Sequence, residues 1–115
     1  MSRLELAAPP NPAPIFAALG DTTRLGLLSR LADGESRSIA GLSTGSPLTR
    51  QAITKHLAVL ESAGLVSRIR SGRESRYALR PEPLAEARDY LQSVAAQWGD
   101  ALERLRAFVE APAAD

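Results

Sequence analysis

The sequence predicts a mainly α fold with a small β-hairpin, and three observations carry that expectation. Short apolar stripes at helical spacing recur between residues 13 and 63, each bounded by a capping residue and a glycine or turn. Between Val66 and Leu79 the apolar period switches to two around Ser71-Gly72, as a hairpin requires. After Pro81 and Pro83, apolar residues at alternating spacings of three and four run to about Val109.

The elements follow in order. Pro9, Pro10, Pro12 and Pro14 cannot continue a helix, so residues 1–12 read as a flexible, proline-rich arm. Ile15, Phe16 and Leu19 form a first short stripe that Gly20 stops. Asp21 is an N-cap for a second helix with Leu25, Leu28 and Leu31 on its apolar side, ended by Asp33-Gly34. After a polar connection, Ser38 caps a short third helix through Ile39, Ala40 and Leu42. Residues 43–47 make a turn, and Thr49 caps a fourth helix that runs to about Ala63, where Gly64 supplies a left-handed stop. Two helices joined in this way form a helix-turn-helix. Residues 13–110 are expected to make one domain, with 111–115 as a tail.

Composition excludes several functions. With no cysteine there are no disulfides or thiolate metal sites, and a single histidine makes a zinc centre improbable. No carboxylate pair, nucleophile–base set or glycine-rich phosphate loop suggests an enzyme. No apolar run approaches the roughly 20 residues that cross a bilayer, and the N-terminus lacks the layout of a signal peptide, so a cytoplasmic location is expected. The net charge of +1 conceals an asymmetry: from Ser46 to Tyr77 six basic residues stand against two acidic ones, which gives +4 there and −3 elsewhere. Charge concentrated in this way suits an anionic partner.

The fourth helix carries the most chemistry. Ile53, Leu57 and Leu60 share one face at i, i+4 and i+7, while Gln51, Thr54, Lys55 and Ala58 project roughly the opposite way. Gln pairs bidentately with adenine, Lys or Arg pairs with guanine, and a Thr methyl or Ala meets the thymine methyl. Arg50 sits in the first turn. His56 falls at the edge of the core, where a lone histidine is more often structural; its DNA role would be a phosphate contact. In the hairpin, Arg68 and Arg70 alternate on the first strand, Arg73 lies near the tip and Arg76 follows on the second strand. Ile69, Tyr77 and Leu79 are expected to pack the other face against the helices. Arginines on a ribbon contact phosphates or enter a narrow minor groove, and they also protect a sheet edge from aggregation.

These residues resemble a known family. The stretch from Ala52 to Val66, with its Thr54-Lys-His-Leu core and Ala63-Gly-Leu-Val ending, looks like the recognition helix and following turn of the ArsR-type bacterial repressors. Residues 15–28, with Leu19-Gly-Asp-Thr-Thr-Arg24, look like the family's opening helices, and Ser71 to Tyr77 is similar to its wing. The resemblance spans Ala13 to Val109 and implies a winged helix-turn-helix, a homodimer and repression at a palindromic operator. By carry-over, Gln51, Ala52, Thr54 and Lys55 would face bases, with Arg50 and His56 nearer the backbone and Arg73 at the wing tip. Thr49, Arg68, Arg70 and Arg76 complete the candidate DNA-binding set. Metal-sensing members use cysteine pairs near the third helix or His/Asp/Glu sets on the last; this chain can assemble neither and looks closer to a metal-free branch.

On the last helix Leu84, Ala87, Leu91, Val94, Trp98, Ala101, Leu105 and Phe108 form a heptad-like stripe that needs a partner helix. The resemblance places the first and last helices at the dimer interface, which adds Ile15 and Phe16 to that set. Trp98 and Tyr90 either line a pocket for an unidentified small-molecule effector or belong to the dimer core. The sequence therefore predicts a homodimeric DNA-binding repressor without cofactor, whose partners are double-stranded DNA and a second copy of itself. The alternative is a winged-helix protein-interaction module that has lost DNA binding.

Overall fold

The computed structural model describes residues 11–111, so the proline-rich arm before residue 11 and the tail after residue 111 lie outside the described residues. Helix α1 (Ala13–Leu19) leads into α2 (Thr22–Arg30), where the Asp21 carboxylate accepts the Arg24 amide N–H at 3.0 Å as the expected N-cap. A two-residue strand, β1 (Arg37–Ser38), precedes α3 (Ile39–Ser43), and Ser38 caps that helix through the Gly41 amide at 3.0 Å. Helix α4 (Arg50–Ser62) is capped by the Thr49 hydroxyl, which accepts the Ala52 amide at 3.1 Å.

Helix α4 ends because Gly64 adopts φ +77, which lets the Leu65 amide donate back to the Leu60 carbonyl at 2.9 Å. The chain then enters β2 (Val66–Ser71) and returns as β3 (Glu74–Leu79). Gly72 stands at φ +63 in the first of the two turn positions, the conformation a two-residue hairpin turn needs there. Pro83 lies in the first turn of α5 (Glu82–Glu110), where a missing N–H costs nothing.

The sheet has the order β1-β3-β2 and is antiparallel throughout. Strand β1 falls in what reads as a polar connection, and it pairs Arg37 with Tyr77 and Ser38 with Arg76. The wing is thereby hydrogen-bonded to the segment that launches α3.

One core holds these elements. Ile15 and Ala18 of α1, Leu27, Leu28 and Leu31 from α2 and its end, Leu42 of α3, and Ile53, Leu57 and Leu60 of α4 meet Leu65, Val66, Tyr77 and Ala87. Two expectations are corrected here. Leu25 is 49% exposed, and Leu27 takes its place in the core, because α2 turns its 27/28/31 edge toward α4. Ile69 is 45% exposed and does not pack with Tyr77 and Leu79. The register pairs Arg68 with Tyr77 and Val66 with Leu79, so strand alternation sends Ile69 to the opposite face, beside Arg76.

Candidate nucleic-acid interface

The recognition surface begins with how α4 is anchored. Ile53, Leu57 and Leu60 are at most 1% exposed, and each buried aliphatic side chain contributes about 1.5–3 kcal/mol. With that face fixed, Arg50, Gln51, Thr54, Lys55 and Ala58 stand exposed on the other, and Ala52 is half-buried. Arg50, Gln51, Thr54 and Lys55 together with Ile39 line an open depression between the start of α3 and α4. The Thr54 hydroxyl donates to the Arg50 carbonyl of its own helix at 2.8 Å. Its proton is committed, so toward a ligand Thr54 offers a methyl group and an acceptor oxygen.

The arginines divide into two groups. Arg30 donates to the carbonyls of Leu42 and Gly41 at 2.7 and 3.0 Å, which closes the end of α3 against α2. Arg37 donates to the Arg30 carbonyl at 2.8 Å and pairs with Asp33 at 2.6 Å. Arg76, expected among the DNA contacts, instead holds the Ser36 hydroxyl and carbonyl at 3.0 and 2.8 Å and pairs with Glu74 at 2.8 Å. Its guanidinium braces the wing against the α2–β1 connection. By contrast, among the described residues the side chains of Arg50, Lys55, Arg68 and Arg73 have no hydrogen-bond or ion-pair partner, and that of Arg70 has only a 3.4 Å contact to the Gly72 carbonyl. One further unpartnered cation, Arg104, lies on α5. Free cations therefore cluster on α4 and the wing, which is the arrangement that phosphate binding needs.

His56 is engaged within the fold through its Nδ1. It is half-buried, its Nδ1 is 3.2 Å from Nη1 of Arg24 and 3.7 Å from Oδ2 of Asp21. The Arg24 amide, donating to the Asp21 carboxylate, holds that carboxyl below the ordinary carboxylate range, helped by the Arg24 charge. Helical spacing places His56 at the edge of the core, but its partner Arg24 lies 32 positions away and is brought to it by the fold.

Helix α5 contributes little to the core. Ala87 is its one buried residue among those described, while Leu84 packs at the margin. Tyr90 packs against Phe16 with ring centroids 5.8 Å apart and ring planes tilted by 56°. Beyond that point Leu91, Trp98, Leu105 and Phe108 are 53, 65, 58 and 81% exposed. Ala101 is exposed as well, and Val94 is half-buried. Ile15, expected at a dimer interface, is 5% exposed and belongs to the chain's own core. Tyr90 and Trp98 line separate depressions, one with Pro12, Glu86 and Asp89 and the other with Gln97 and Ala101, so within one chain they do not form a common pocket. Among the described residues, no group of three or more His, Cys, Asp or Glu side chains is placed to hold a metal ion, and no helix is long and apolar enough to cross a membrane.

A helix-turn-helix with an exposed polar and basic second helix, flanked by a β-wing with free arginines, defines a winged helix-turn-helix DNA-binding protein. Residues 21–68 match the family model described as "Bacterial regulatory protein, arsR family". The chain is 40% identical over 80 residues to the uncharacterized HTH-type transcriptional regulator YuzN of Bacillus subtilis, covering 64% of this chain and 87% of that protein. Among solved structures, an ArsR-like transcriptional regulator from Rhodococcus sp. RHA1 is 36% identical with a TM-score of 0.74, covering 88% of this chain and 94% of that one. A homodimeric winged helix-turn-helix DNA-binding domain from Mycobacterium bovis is 28% identical with a TM-score of 0.58, covering 77% of this chain and 82% of that one. The chain belongs to the arsR family of bacterial transcriptional regulators.

Proposed function

We propose that this regulator is a homodimeric repressor that binds a palindromic operator, and that metal ions do not control it. The observation that carries the reading is α4: its Ile53/Leu57/Leu60 side is fully buried while Arg50, Gln51, Thr54 and Lys55 stand exposed on the other. In this reading Gln51, Ala52, Thr54 and Lys55 meet base edges in the major groove, with Thr49 and Arg50 beside the backbone. Arg68, Arg70 and Arg73 follow the adjacent phosphates or minor groove. Arg76 leaves the contact set because its guanidinium is engaged within the fold, and His56 becomes a supporting residue because its Nδ1 faces Arg24.

The exposed α5 stripe supports dimer formation. An apolar row extending from Leu91 to Phe108 in water is a large solvation cost that a second copy of the same helix removes. Two-fold pairing presents two α4 helices to successive turns of the duplex, about 34 Å apart. Repression follows if that footprint overlaps a promoter. The absence of cysteine and the single, already engaged histidine support control by something other than a metal.

Titration of the purified protein onto its own promoter region, against a random duplex of equal length, tests the reading. The expected result is saturable binding of two chains per site, preference for the promoter, unchanged affinity on adding chelator, and reduced transcription in vitro. Equal affinity for both duplexes would refute it.

A further inference from the structure

Arg24 stands where three helices meet. Its Nε donates to the Ala18 carbonyl at 2.6 Å and its Nη2 to the Ala17 carbonyl at 3.3 Å. Both carbonyls lie in the last turn of α1, where a helix runs out of its own donors; that of Ala17 also accepts the Gly20 amide at 3.3 Å. Its Nη1 reaches Nδ1 of His56 on α4 at 3.2 Å. The backbone N–H of the same residue is held by the Asp21 cap, so the side chain starts from a fixed point.

The chemistry of this junction has one consistent assignment. A guanidinium has only donors and remains charged, so Nδ1 of His56 must accept. In this bond the imidazole proton sits on Nε2. Asp21 Oδ2 at 3.7 Å adds a nearby negative charge but no hydrogen bond at that length. Helix α4 is thus tied to the end of α1 by a charge-assisted bond lying between its buried and its exposed faces.

We propose that Arg24 and His56 are positioning residues for DNA recognition: their bond fixes the rotation of α4 about its own axis, so that Gln51, Thr54 and Lys55 address the bases. Apolar contacts at Ile53, Leu57 and Leu60 hold the helix down but are non-directional. The Arg24–His56 bond is directional, and it refers α4 to α1. On a helix whose side chains reach roughly 5–6 Å from the axis, a rotation of about 10° displaces a side-chain tip by about 1 Å. A displacement of that size disrupts bidentate base contacts while leaving flexible phosphate contacts nearly intact.

This inference rests on operator reading by α4, so the test has one arm that needs DNA and one that does not. Without DNA, the imidazole nitrogen chemical shifts of His56 are recorded in the full chain and in Arg24→Lys. The Nε2–H tautomer is expected, with a change at Nδ1 in the variant; an Nδ1–H tautomer, or no change, overturns the proposal whatever the protein binds.

With DNA, a preferred duplex selected by the wild-type chain is compared with a random duplex for His56→Leu, His56→Asn and His56→Gln over a series of salt concentrations, alongside melting temperatures. If this bond holds α4 in its reading orientation, His56→Leu should weaken binding to the preferred duplex by about tenfold, the order of effect that a hydrogen bond to a charged group allows. Random-duplex affinity and the salt slope should stay unchanged, with the chain fully folded at the assay temperature. His56→Asn places an amide oxygen where Nδ1 stood and should recover most of the affinity; His56→Gln should not. Rescue by Gln alone with a salt slope lowered by about 0.9 would make His56 a phosphate contact through Nε2 and overturn the proposal. Parallel loss on both duplexes together with unfolding would reduce the pair to fold stability and overturn it equally. Should the wild type prefer no duplex, operator reading itself fails, and the chemical shifts still decide the junction.

Discussion

Helices α4 and α5 are built from similar residues and meet different fates. Helix α4 has 13 residues, and its apolar face is wholly absorbed by the chain's own core. Helix α5 has 29 residues and, among those described, buries Ala87 alone. At about 1.5 Å per residue it extends for roughly 43 Å, far past the core it starts from. The difference separates two kinds of amphipathic helix. In α4 the unsatisfied face is polar and basic, so what it lacks is an anion with hydrogen-bonding edges. In α5 the unsatisfied face is apolar and contains Leu91, Trp98, Leu105 and Phe108, so what it lacks is another apolar helix. The proposed homodimer on DNA would supply both at once.

The comparison can be broken from either side. The largest effect is expected from the buried face of α4: Leu57→Ala leaves a cavity in the core and should lower unfolding free energy by about 2–5 kcal/mol in a denaturant titration. A small loss would mean that α4 is not anchored as described. Leu105→Glu, on the exposed stripe, should leave each protomer folded by circular dichroism yet shift sedimentation from dimer to monomer. Removing the linkage between two half-site contacts should then weaken operator binding about 100-fold or more. A variant that remains dimeric would show that the stripe is not the interface.

Smaller effects sharpen the outer face. Gln51→Ala and Lys55→Ala should each cost about 1–3 kcal/mol of discrimination between correct and substituted base pairs, read by competition binding. Unchanged discrimination in both would remove α4 from base reading. Arg73→Ala should weaken binding to all sequences alike and lower the salt slope by about 1 per protomer. Arg76→Ala, whose guanidinium braces Ser36 and Glu74, should instead lower the melting temperature and leave that slope nearly unchanged. The two wing arginines thus exchange signatures if their assignments are reversed.

What could be read in the sequence was local. Thr49, the Ile53/Leu57/Leu60 spacing and Gly64 define α4 by rules that act within one helix, and each recurs in the structure. The spacing along α5 likewise marks an apolar stripe, of which Leu91, Trp98, Leu105 and Phe108 stand exposed. What stayed hidden depends on contacts distant in sequence. Strand β1 is two polar residues long and exists because β3 pairs with it some 40 positions later. The outward turn of Ile69 follows from the β2–β3 register rather than from its own neighbours. Arg76 looks like a free cation until Ser36 is brought against it, and the core-edge position of His56 does not reveal Arg24 as its partner. A charge count along the chain therefore marks the segment where basic residues gather but not which of its arginines are free.

Selection of bound sequences from a random duplex pool by the wild-type chain tests the central claim most directly, because it reports base reading by α4 and pairing through α5 together. The account predicts enrichment of a palindrome whose half-site centres lie about one helical turn, 10–10.5 base pairs, or a multiple of it apart, bound by two chains. Recovery of no preferred sequence, or of a lone half-site bound by a single chain, would contradict it.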